Sequence, residues 1–346
     1  MKRRKTRGVK IGKLKIGSNA PITVQSMCTS HTRDIDATVR QIHELEEAGC
    51  EIMRVSVSNM NEANSLKKIK ENISIPLVAD IHFDYRLAIE SAKYADKLRI
   101  NPGNIGSNDK VKLVVEQAKD YNIPIRIGVN LGSLEKEIIK KFGLTSKAMV
   151  ESALKHIKIL EELDFYNTII SMKASDIKRT VDAYRMMATK VDYPFHIGVT
   201  EAGTAYTGTI KSSIGIGSLL LDGIGDTIRV SLTTNPVDEV RAGIEILNSL
   251  GIRKSRTIIS CPGCGRTEID LIGLTKSVEK ATAHIKKPVK IAVMGCAVNG
   301  PGEAKEADVG VAGAKNFGII FKKGKVVKKV KKDKILKALL DEINKL

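Results

Sequence analysis

The stretch PITVQSMCTSHTRDIDATVRQIHELEEAGCEIMRVSV, residues 21–57, contains a complete strand–helix–strand unit. Its two ends, 21–25 and 51–57, are short apolar runs, which predicts strands that are buried on both faces. The segment between them, 34–49, shows helical periodicity, and Asp34 stands where a helix N-cap is expected. The stretch therefore predicts one βα unit followed by the next strand.

The same alternation recurs along the chain to about residue 250, and the number of repeats decides the fold class. Eight βα units in about 230 residues favour a (β/α)8 barrel of the TIM type, an α/β fold. A doubly wound sheet is the alternative, but the glycine-rich segment 214–226 follows no strand and lacks the dinucleotide-binding spacing. The predicted strands are 21–25, 51–57, 76–81, 97–100, 125–129, 168–172, 195–199 and 227–231.

Polar side chains cluster where these predicted strands end. In a TIM barrel the carboxyl ends of the strands form the catalytic face, so we expect the clustered residues to share one site. Solvent exposure would explain any one of them, but it explains a set drawn from all eight strands poorly. Four arginines and one lysine indicate an anionic ligand, because a planar guanidinium binds phosphate oxygens through two hydrogen bonds. The set is Gln25, Ser26, Arg54, Ser56, Asp80, His82, Arg99, Asn101, Arg126, Asn130, Lys173, Glu201, Arg229 and Ser231.

A smaller α+β region follows the barrel pattern. We place the domain boundary between residues 252 and 253, so that 1–252 form the barrel and 253–346 the second domain. The predicted order in the second domain is strand 257–260, a cysteine turn, helix 267–283, strand 289–294, a second cysteine turn, strands around 308–322 and an amphipathic helix 331–345.

The two cysteine turns of this domain carry a candidate metal site. CPGCGR supplies Cys261 and Cys264, whose spacing suits one metal ion or one cluster edge, and GCAVNGPGE supplies Cys296. A structural zinc site would need a fourth Cys or His, and His284 lies in a helical stretch far from either turn in sequence. Three thiolates with one open iron favour a catalytic iron–sulfur cluster. For CPGC by itself, a zinc half-site or a redox pair is the alternative.

Glu303 ends the second cysteine motif and is a candidate fourth ligand. The Gly-Pro-Gly turn at 300–302 aims its carboxylate back toward Cys296, and a carboxylate on iron exchanges more readily than a thiolate. A glutamate after a turn is otherwise an ordinary surface residue, so the ligand interpretation depends on the neighbouring cysteine.

Composition narrows the range of partners. The formal net charge of +18 favours anionic partners, and lysines are densest at 321–334. Aromatic residues make up 4% and Trp is absent, which disfavours a nucleic-acid surface built on base stacking. The lysine run is therefore interpreted as a docking patch for an acidic protein or as a solvated face. An RNA-binding protein with a zinc knuckle is the alternative of another class.

Localisation is predicted from what the sequence lacks. The basic N-terminal segment is followed by no apolar run typical of a signal peptide, and no apolar run is long enough to span a membrane. Five unevenly spaced cysteines do not form a secreted disulfide framework, and Cys50 is interpreted as a small buried hydrophobe. We expect a cytoplasmic protein that binds neither nucleic acid nor membrane.

Motifs across nearly the whole chain resemble the 4-hydroxy-3-methylbut-2-enyl diphosphate synthase family. They are VQSM, RVSVSN, ADIHFDYRLA, LRINPGNIG, IRIGVNLGSL, SMKASD, GVTEAGT, GIGDTIRVSLT, CPGCGR and MGCAVNGPGEAKEADVG. The chain differs from the family in having Cys28 where a threonine is usual, and it lacks the large insertion of the plant-type enzymes, which indicates the short bacterial form. A pterin-binding barrel of the dihydropteroate synthase type is a second enzyme alternative, but it leaves the cysteine domain unexplained.

The resemblance implies a reaction, a cofactor and partners. The implied substrate is 2-C-methyl-D-erythritol 2,4-cyclodiphosphate, which is opened and dehydrated by a two-electron reduction. The implied cofactor is a [4Fe–4S] cluster on Cys261, Cys264, Cys296 and Glu303, with electrons from ferredoxin or flavodoxin. Family members are homodimers in which the cluster domain of one subunit closes over the barrel of the other. Glu201 matches a carboxylate implied in proton handling, and the expected substrate-binding residues are Arg54, Asp80, His82, Arg99, Asn101, Arg126, Asn130, Lys173, Arg229 and Ser231.

Overall fold

The structure is a computed structural model of the chain and describes residues 2–285, 287–297, 302 and 304–346. It divides into two compact units, Met1–Leu250 and Gly251–Leu346, and each unit has its own sheet.

The first unit is the predicted barrel. Its eight parallel strands follow the order β8-β7-β6-β5-β4-β3-β10-β9, and a parallel bridge from Ile170 to Phe195 joins the two ends of the sheet. All eight predicted strands are confirmed, although β9 and β10 are two residues long rather than five. The strands are β3 (Thr23–Met27), β4 (Ile52–Ser56), β5 (Leu77–Asp80), β6 (Lys97–Ile100), β7 (Ile125–Asn130), β8 (Thr168–Lys173), β9 (His196–Ile197) and β10 (Thr227–Ile228).

Helices connect these strands in the order that the alternation predicts. The Asp34 side chain accepts a hydrogen bond from the Ala37 N–H and caps α1, as expected for an aspartate at this position. Asn59, Asp84 and Asp176 cap later helices in the same way. The helices are α1 (Ile35–Glu47), α2 (Met60–Glu71), α3 (Tyr85–Ala92), α4 (Pro102–Ile105), α5 (Asn108–Asp120), α6 (Lys136–Phe142), α7 (Ser146–Glu161), α8 (Ile177–Ala188), α9 (Ala205–Leu221) and α10 (Pro236–Ser249).

A short antiparallel hairpin, absent from the sequence prediction, closes the amino-terminal end of the barrel. It pairs β1 (Val9–Ile11) with β2 (Leu14–Ile16). Its buried apolar side chains form one cluster with Ile52, Val78 and Ile169, which lie near the starts of their strands. Apolar packing therefore seals this end of the barrel, and the opposite end, where the strands finish, is the expected catalytic face.

The second unit is a five-stranded mixed sheet with helices on one face. Strands β11, β12 and β13 are parallel, and β14 and β15 continue the sheet antiparallel. Two apolar clusters form, one on each face of the sheet, and helices pack against the first cluster. The elements are β11 (Thr257–Ser260), α11 (Leu271–Ala281), β12 (Lys290–Met294), β13 (Val309–Gly313), β14 (Phe317–Lys322), β15 (Lys325–Lys331) and α12 (Ile335–Ile343).

Two element boundaries in this unit differ from the prediction. Helix α11 begins at Leu271 rather than 267, because the Asp270 side chain accepts from the Gly273 N–H and fixes the N-cap. The final helix begins at Ile335 rather than 331, because the lysine-rich segment before it is the edge strand β15. Among the helices that the structure describes, none combines the length and apolarity of a membrane span.

Candidate functional site

Strand register brings the predicted polar residues to one face of the barrel sheet. Asp80 pairs with Arg99 and Arg99 with Arg126 across β5, β6 and β7, while Asn130 pairs with Lys173 across β7 and β8. Paired residues of a parallel ladder point to the same face of a sheet, and so do residues two apart along a strand. The side chains of Asp80, Arg99, Arg126 and Lys173 are buried, so this face lines the barrel interior.

Asp80 is the carboxylate around which the cations are arranged. Arg99 Nη1 donates to Asp80 Oδ1 at 3.0 Å, and Arg54 Nε lies 3.7 Å from Oδ2. His82 Nε2 lies 3.6 Å from Asp80 Oδ2 and 3.1 Å from Arg99 Nη1. Burial would raise the pKa of Asp80, but Arg54, the hydrogen bond with His82 and Arg99 hold it well below its usual value. Asp80 is therefore a fixed anion that orients both arginines.

Several guanidinium nitrogens in this interior have no acceptor within the described chain. Arg126 is 1% exposed, and its Nε and Nη1 lack hydrogen-bond partners, as do Nε of Arg99 and Nε of Arg229. Burial lowers the pKa of Arg126 well below its usual value and, together with nearby cations, lowers that of Arg54 to about 9. Leaving a buried charged donor unpaired costs more than about 1–3 kcal/mol. An anion with several oxygens would satisfy these donors.

Two glycines leave room for long cationic side chains to cross neighbouring strands. A Cβ on Gly128 would lie 2.3 Å from Arg99 Nε, and a Cβ on Gly198 would lie 2.7 Å from Lys173 Nζ. Real Cβ atoms do not approach other atoms so closely. Gly128 is therefore explained by the Arg99 guanidinium, and Gly198 is explained by the Arg229 carbonyl, which would lie 2.3 Å from a Cβ, together with Lys173.

The remaining predicted barrel residues lie near the same strand ends with less burial. Asn101 is buried, and its side chain accepts from the Gly103 N–H at 3.2 Å. Asn130 and Ser231 are half-buried. Glu201 is exposed in the loop after β9 and has a φ of +53°, a backbone conformation that non-glycine residues rarely adopt. Such strain clusters at functional sites and so favours a role for Glu201.

Arg229 has a carboxylate partner that the sequence did not indicate. Its Nη2 lies 3.5 Å from Oε2 of Glu239 on α10. Glu239 also accepts from the Leu232 N–H at 2.8 Å and lies 3.4 Å from the Ser26 hydroxyl. Glu239 thus ties the segment after β10 to β3, and a helical carboxylate with this role leaves no short-range signal in sequence.

Two further buried groups inside strands were missed. Lys97 Nζ donates to Gln25 Oε1 at 3.2 Å, and His196 Nε2 lies 3.3 Å from Lys173 Nζ. The period of two along KLRI places Lys97 on the same face as Arg99, and this signal would have found it. Among the described residues, the barrel site consists of the cations Arg54, Lys97, Arg99, Arg126, Lys173 and Arg229, with the carboxylates of Asp80 and Glu239 and the imidazoles of His82 and His196.

The two cysteine turns begin side by side at the carboxyl ends of adjacent parallel strands. Ser260 at the end of β11 pairs with Val293 of β12, so the turns that contain Cys261 and Cys296 leave the same edge of the sheet. The Gly295 N–H donates to Cys261 Sγ at 3.2 Å and joins one turn to the other. We call Cys261, Cys264 and Cys296 the cysteine site.

The cysteine site has few other fixed contacts. Cys296 is buried, Cys261 is half-buried and Cys264 is exposed, and all are free thiols. A backbone hydrogen bond at Arg266 lowers the pKa of Cys264, which favours the thiolate that binds metals. Across the described residues, no group of three or more Cys, His, Asp or Glu side chains is spaced to hold a metal ion. Glu303 lies outside the described residues.

Comparison with known proteins identifies the family. The GcpE TIM-barrel domain matches residues 6–244, and the GcpE protein C-terminal domain matches residues 257–345. The chain belongs to the GcpE family. A relative from Caldanaerobacter subterraneus is 60% identical over 99% of this chain and 98% of its own, and one from Fusobacterium nucleatum is 57% identical over 97% and 96%. Both are named 4-hydroxy-3-methylbut-2-en-1-yl diphosphate synthase (flavodoxin), so the resemblance found in sequence is confirmed.

Solved structures support the barrel and nothing further. Dihydropteroate synthase from Stenotrophomonas maltophilia has a TM-score of 0.52 and 11% identity, covering 71% of this chain and 97% of that one. At this identity the likeness shows a shared barrel fold and gives no support to a pterin substrate. The GcpE family match, by contrast, extends over both units.

Proposed function

We propose that the chain catalyses the reaction after which its GcpE relatives are named, the formation of 4-hydroxy-3-methylbut-2-enyl diphosphate. The substrate is 2-C-methyl-D-erythritol 2,4-cyclodiphosphate, and the step belongs to non-mevalonate isoprenoid biosynthesis. Two electrons and two protons enter, the ring opens, and one oxygen leaves as water. The observation that carries this proposal is the unpaired guanidinium donors of the barrel, together with two cysteine turns in a chain 60% identical to a named synthase.

The barrel site binds the diphosphate. The unpaired nitrogens of Arg99, Arg126 and Arg229 offer donors to phosphate oxygens, and guanidinium geometry suits this contact. Asp80 keeps Arg99 and Arg54 in place before the ligand arrives, which reduces the cost of ordering them on binding. Lys173 adds a further cation, and His82, Asn101, Asn130 and Ser231 contact the substrate at the mouth. Glu201 handles a proton during the release of water.

The residues of the second unit fit an iron–sulfur cluster. Three free thiols arise from two turns on one sheet edge, and a backbone N–H already points at one sulfur, as is common around cluster sulfurs. Cys261, Cys264 and Cys296 would hold a [4Fe–4S] cluster, with Glu303 as the fourth ligand. When bound, the cluster supplies electrons one at a time and an iron that acts as a Lewis acid.

A homodimer completes the active site. The anion-binding residues lie in one unit and the cluster residues in the other, so catalysis requires a barrel and a cluster domain to meet. We place this junction between subunits. A Cys296→Ser chain has an intact barrel, and a Glu201→Gln chain has an intact cluster domain. After subunit exchange the mixture should regain part of the activity, whereas closure within one chain would restore nothing.

Flavodoxin or ferredoxin supplies the electrons in the cytoplasm, and the names of the relatives favour flavodoxin.

Anaerobic purification followed by elemental analysis and turnover tests the proposal. We expect a brown protein with about four iron and four sulfide per chain, which converts the cyclodiphosphate when reduced flavodoxin is supplied. Stoichiometric zinc without iron would contradict the cluster. If the protein contains iron but does not convert the cyclodiphosphate, the proposed cluster stands and the proposed substrate is wrong.

A further inference from the structure

His196 is a buried titratable group that the proposed function does not use. It lies on β9 between β8 and β10, and it is 0% exposed. Its Nε2 lies 3.3 Å from Lys173 Nζ on β8, and its Nδ1 lies 3.4 Å from Thr227 Oγ1 on β10. The imidazole therefore spans three neighbouring strands and ends at a cation of the barrel site.

These contacts define one protonation state of the imidazole. With Lys173 protonated, its ammonium can only donate, so Nε2 accepts from Lys173 and the ring proton lies on Nδ1, facing Thr227. Burial lowers the pKa of His196 well below its usual value, and the nearby cations Arg126, Lys173, Lys97 and Arg54 lower it further. The neutral ring is consistent with this surrounding charge.

The backbone around His196 is fixed by a second set of contacts. The Tyr184 hydroxyl donates to the His196 carbonyl at 2.6 Å and accepts from the Met172 N–H at 3.0 Å, which joins β8 to β9. Gly198, two residues further along β9, leaves the space through which Lys173 passes. The ring and the lysine are thus both held at defined positions.

Lys173 has no other described side-chain partner. No ion pair to a carboxylate holds it among the described residues, and the charges that most affect its pKa are the arginines of the barrel site. Burial and those arginines lower the pKa of Lys173 well below its usual value. A buried lysine in this position needs an acceptor to keep its ammonium oriented before an anion arrives.

We infer that His196 is a positioning residue, which holds the Lys173 ammonium at a fixed place in the barrel interior by accepting a hydrogen bond at Nε2. It does not contact the substrate; it acts through Lys173, while Thr227 keeps the proton on Nδ1. This inference rests on the proposed diphosphate substrate. It adds a residue that determines how tightly the diphosphate is bound.

A matched pair of substitutions separates this role from packing. Gln at position 196 places its side-chain oxygen near the former Nε2, whereas Asn places its amide near the former Nδ1 and does not reach Lys173. We expect His196→Asn to raise KM for the cyclodiphosphate roughly tenfold or more with a smaller change in kcat. His196→Gln should recover most of that loss. Equal KM values for the two variants would overturn the inference.

A double-mutant comparison of KM values tests whether His196 acts through Lys173. Because His196 acts through Lys173, His196→Asn should add little to the KM of a Lys173→Met chain, while a packing role predicts that the two losses multiply. Iron content and thermal midpoint are measured on every sample. If the parent itself fails to bind the cyclodiphosphate, the proposed function fails. If the parent binds and the His196→Asn chain binds equally well, only this inference fails.

Nitrogen-15 NMR of the histidine rings tests the inference in the parent chain. We expect one imidazole to remain neutral with its proton on Nδ1 from pH 6 to 8, and its signal should be absent from His196→Gln. A parent chain in which every ring is protonated at pH 6, or in which no neutral ring carries its proton on Nδ1, would overturn the inference even if the substituted chains did not fold.

Discussion

The barrel site and the cysteine site differ in how much of their geometry the polypeptide supplies by itself. In the barrel, Asp80 and Arg99 are joined at 3.0 Å inside a closed ring of strands, and their neighbours are buried. In the cysteine turns, two described hydrogen bonds join the loops, from the Gly295 N–H to Cys261 Sγ at 3.2 Å and from the Glu268 N–H to the Gly295 carbonyl at 2.9 Å, and Cys264 is exposed. From this difference we expect the barrel site to be organised before its ligand binds, whereas the proposed cluster would organise the cysteine site.

Serine substitutions in the cysteine site should have the largest effect. Cys261→Ser, Cys264→Ser or Cys296→Ser removes one of three thiolates, so we expect most of the iron to be lost and turnover to fall to background. Diphosphate binding, measured by calorimetry, should persist because the barrel is organised independently. Cys50→Ser is the matched control, since Cys50 is a buried barrel thiol whose Sγ bonds the Ile52 carbonyl at 3.2 Å. Full iron content in Cys264→Ser would contradict the ligand set.

Substitution of Glu303 separates a catalytic cluster from a structural one. Glu303→Ala should retain substantial iron, because three thiolates remain, while its activity falls further than its iron content and its oxygen sensitivity rises. Glu303→Cys should hold the cluster firmly with little turnover, because iron releases a thiolate less readily than a carboxylate. Iron content and steady-state rate are measured on the same samples. Unchanged turnover in Glu303→Cys would remove Glu303 from the ligands.

Substitution in the barrel site should reduce activity less than substitution in the cysteine site, and it should affect substrate binding without affecting the iron content. Arg126→Met removes buried donors that have no partner in the chain, so KM for the cyclodiphosphate should rise roughly 10- to 100-fold while iron content stays unchanged. Because an unpaired buried charge also destabilises the fold, the thermal midpoint should hold or rise. Arg241→Met, on the exposed surface of α10, is the control and should alter neither KM nor the thermal midpoint. A lower midpoint with unchanged KM would assign Arg126 a structural role.

The sequence predicted the barrel because its strands are short buried runs, and their polar ends predicted the shared face. It did not predict β1 and β2, since strands of three residues carry too little periodicity to be distinguished from a basic tail. Lys97 and His196 lie inside predicted strands and were missed because site residues were sought only at the carboxyl ends of the strands. Their burial depends on neighbours that strand register brings together. The lysine run was predicted to be exposed, and its lysines within β15 are exposed, but that it forms a strand paired with β14 was not predicted.

Substitution of the exposed lysines of β15 should have the smallest effect on turnover, because these lysines lie on the surface and outside both sites. Lys325, Lys328 and Lys331 are exposed on this edge strand, and no described ion pair holds them. We propose that they speed the docking of an acidic flavodoxin or ferredoxin. Replacing all three by Gln should slow turnover with the protein reductant about three- to tenfold at low salt, because charge complementarity chiefly raises the association rate.

Turnover measured with two kinds of reductant and at two salt concentrations tests whether slower docking causes the loss of activity. Turnover with a small artificial reductant should be unchanged, and the difference should disappear at about 1 M salt, where the screening length is about 3 Å. The control replaces three exposed lysines of barrel helix α7, Lys147, Lys155 and Lys158, and it should leave both assays unchanged. Lysine on an edge strand also deters pairing between sheet edges, and this role predicts no loss with either reductant. An equal loss of turnover with both reductants would contradict docking, because docking affects only the protein reductant. It would indicate instead that the substitutions disturb the second unit itself.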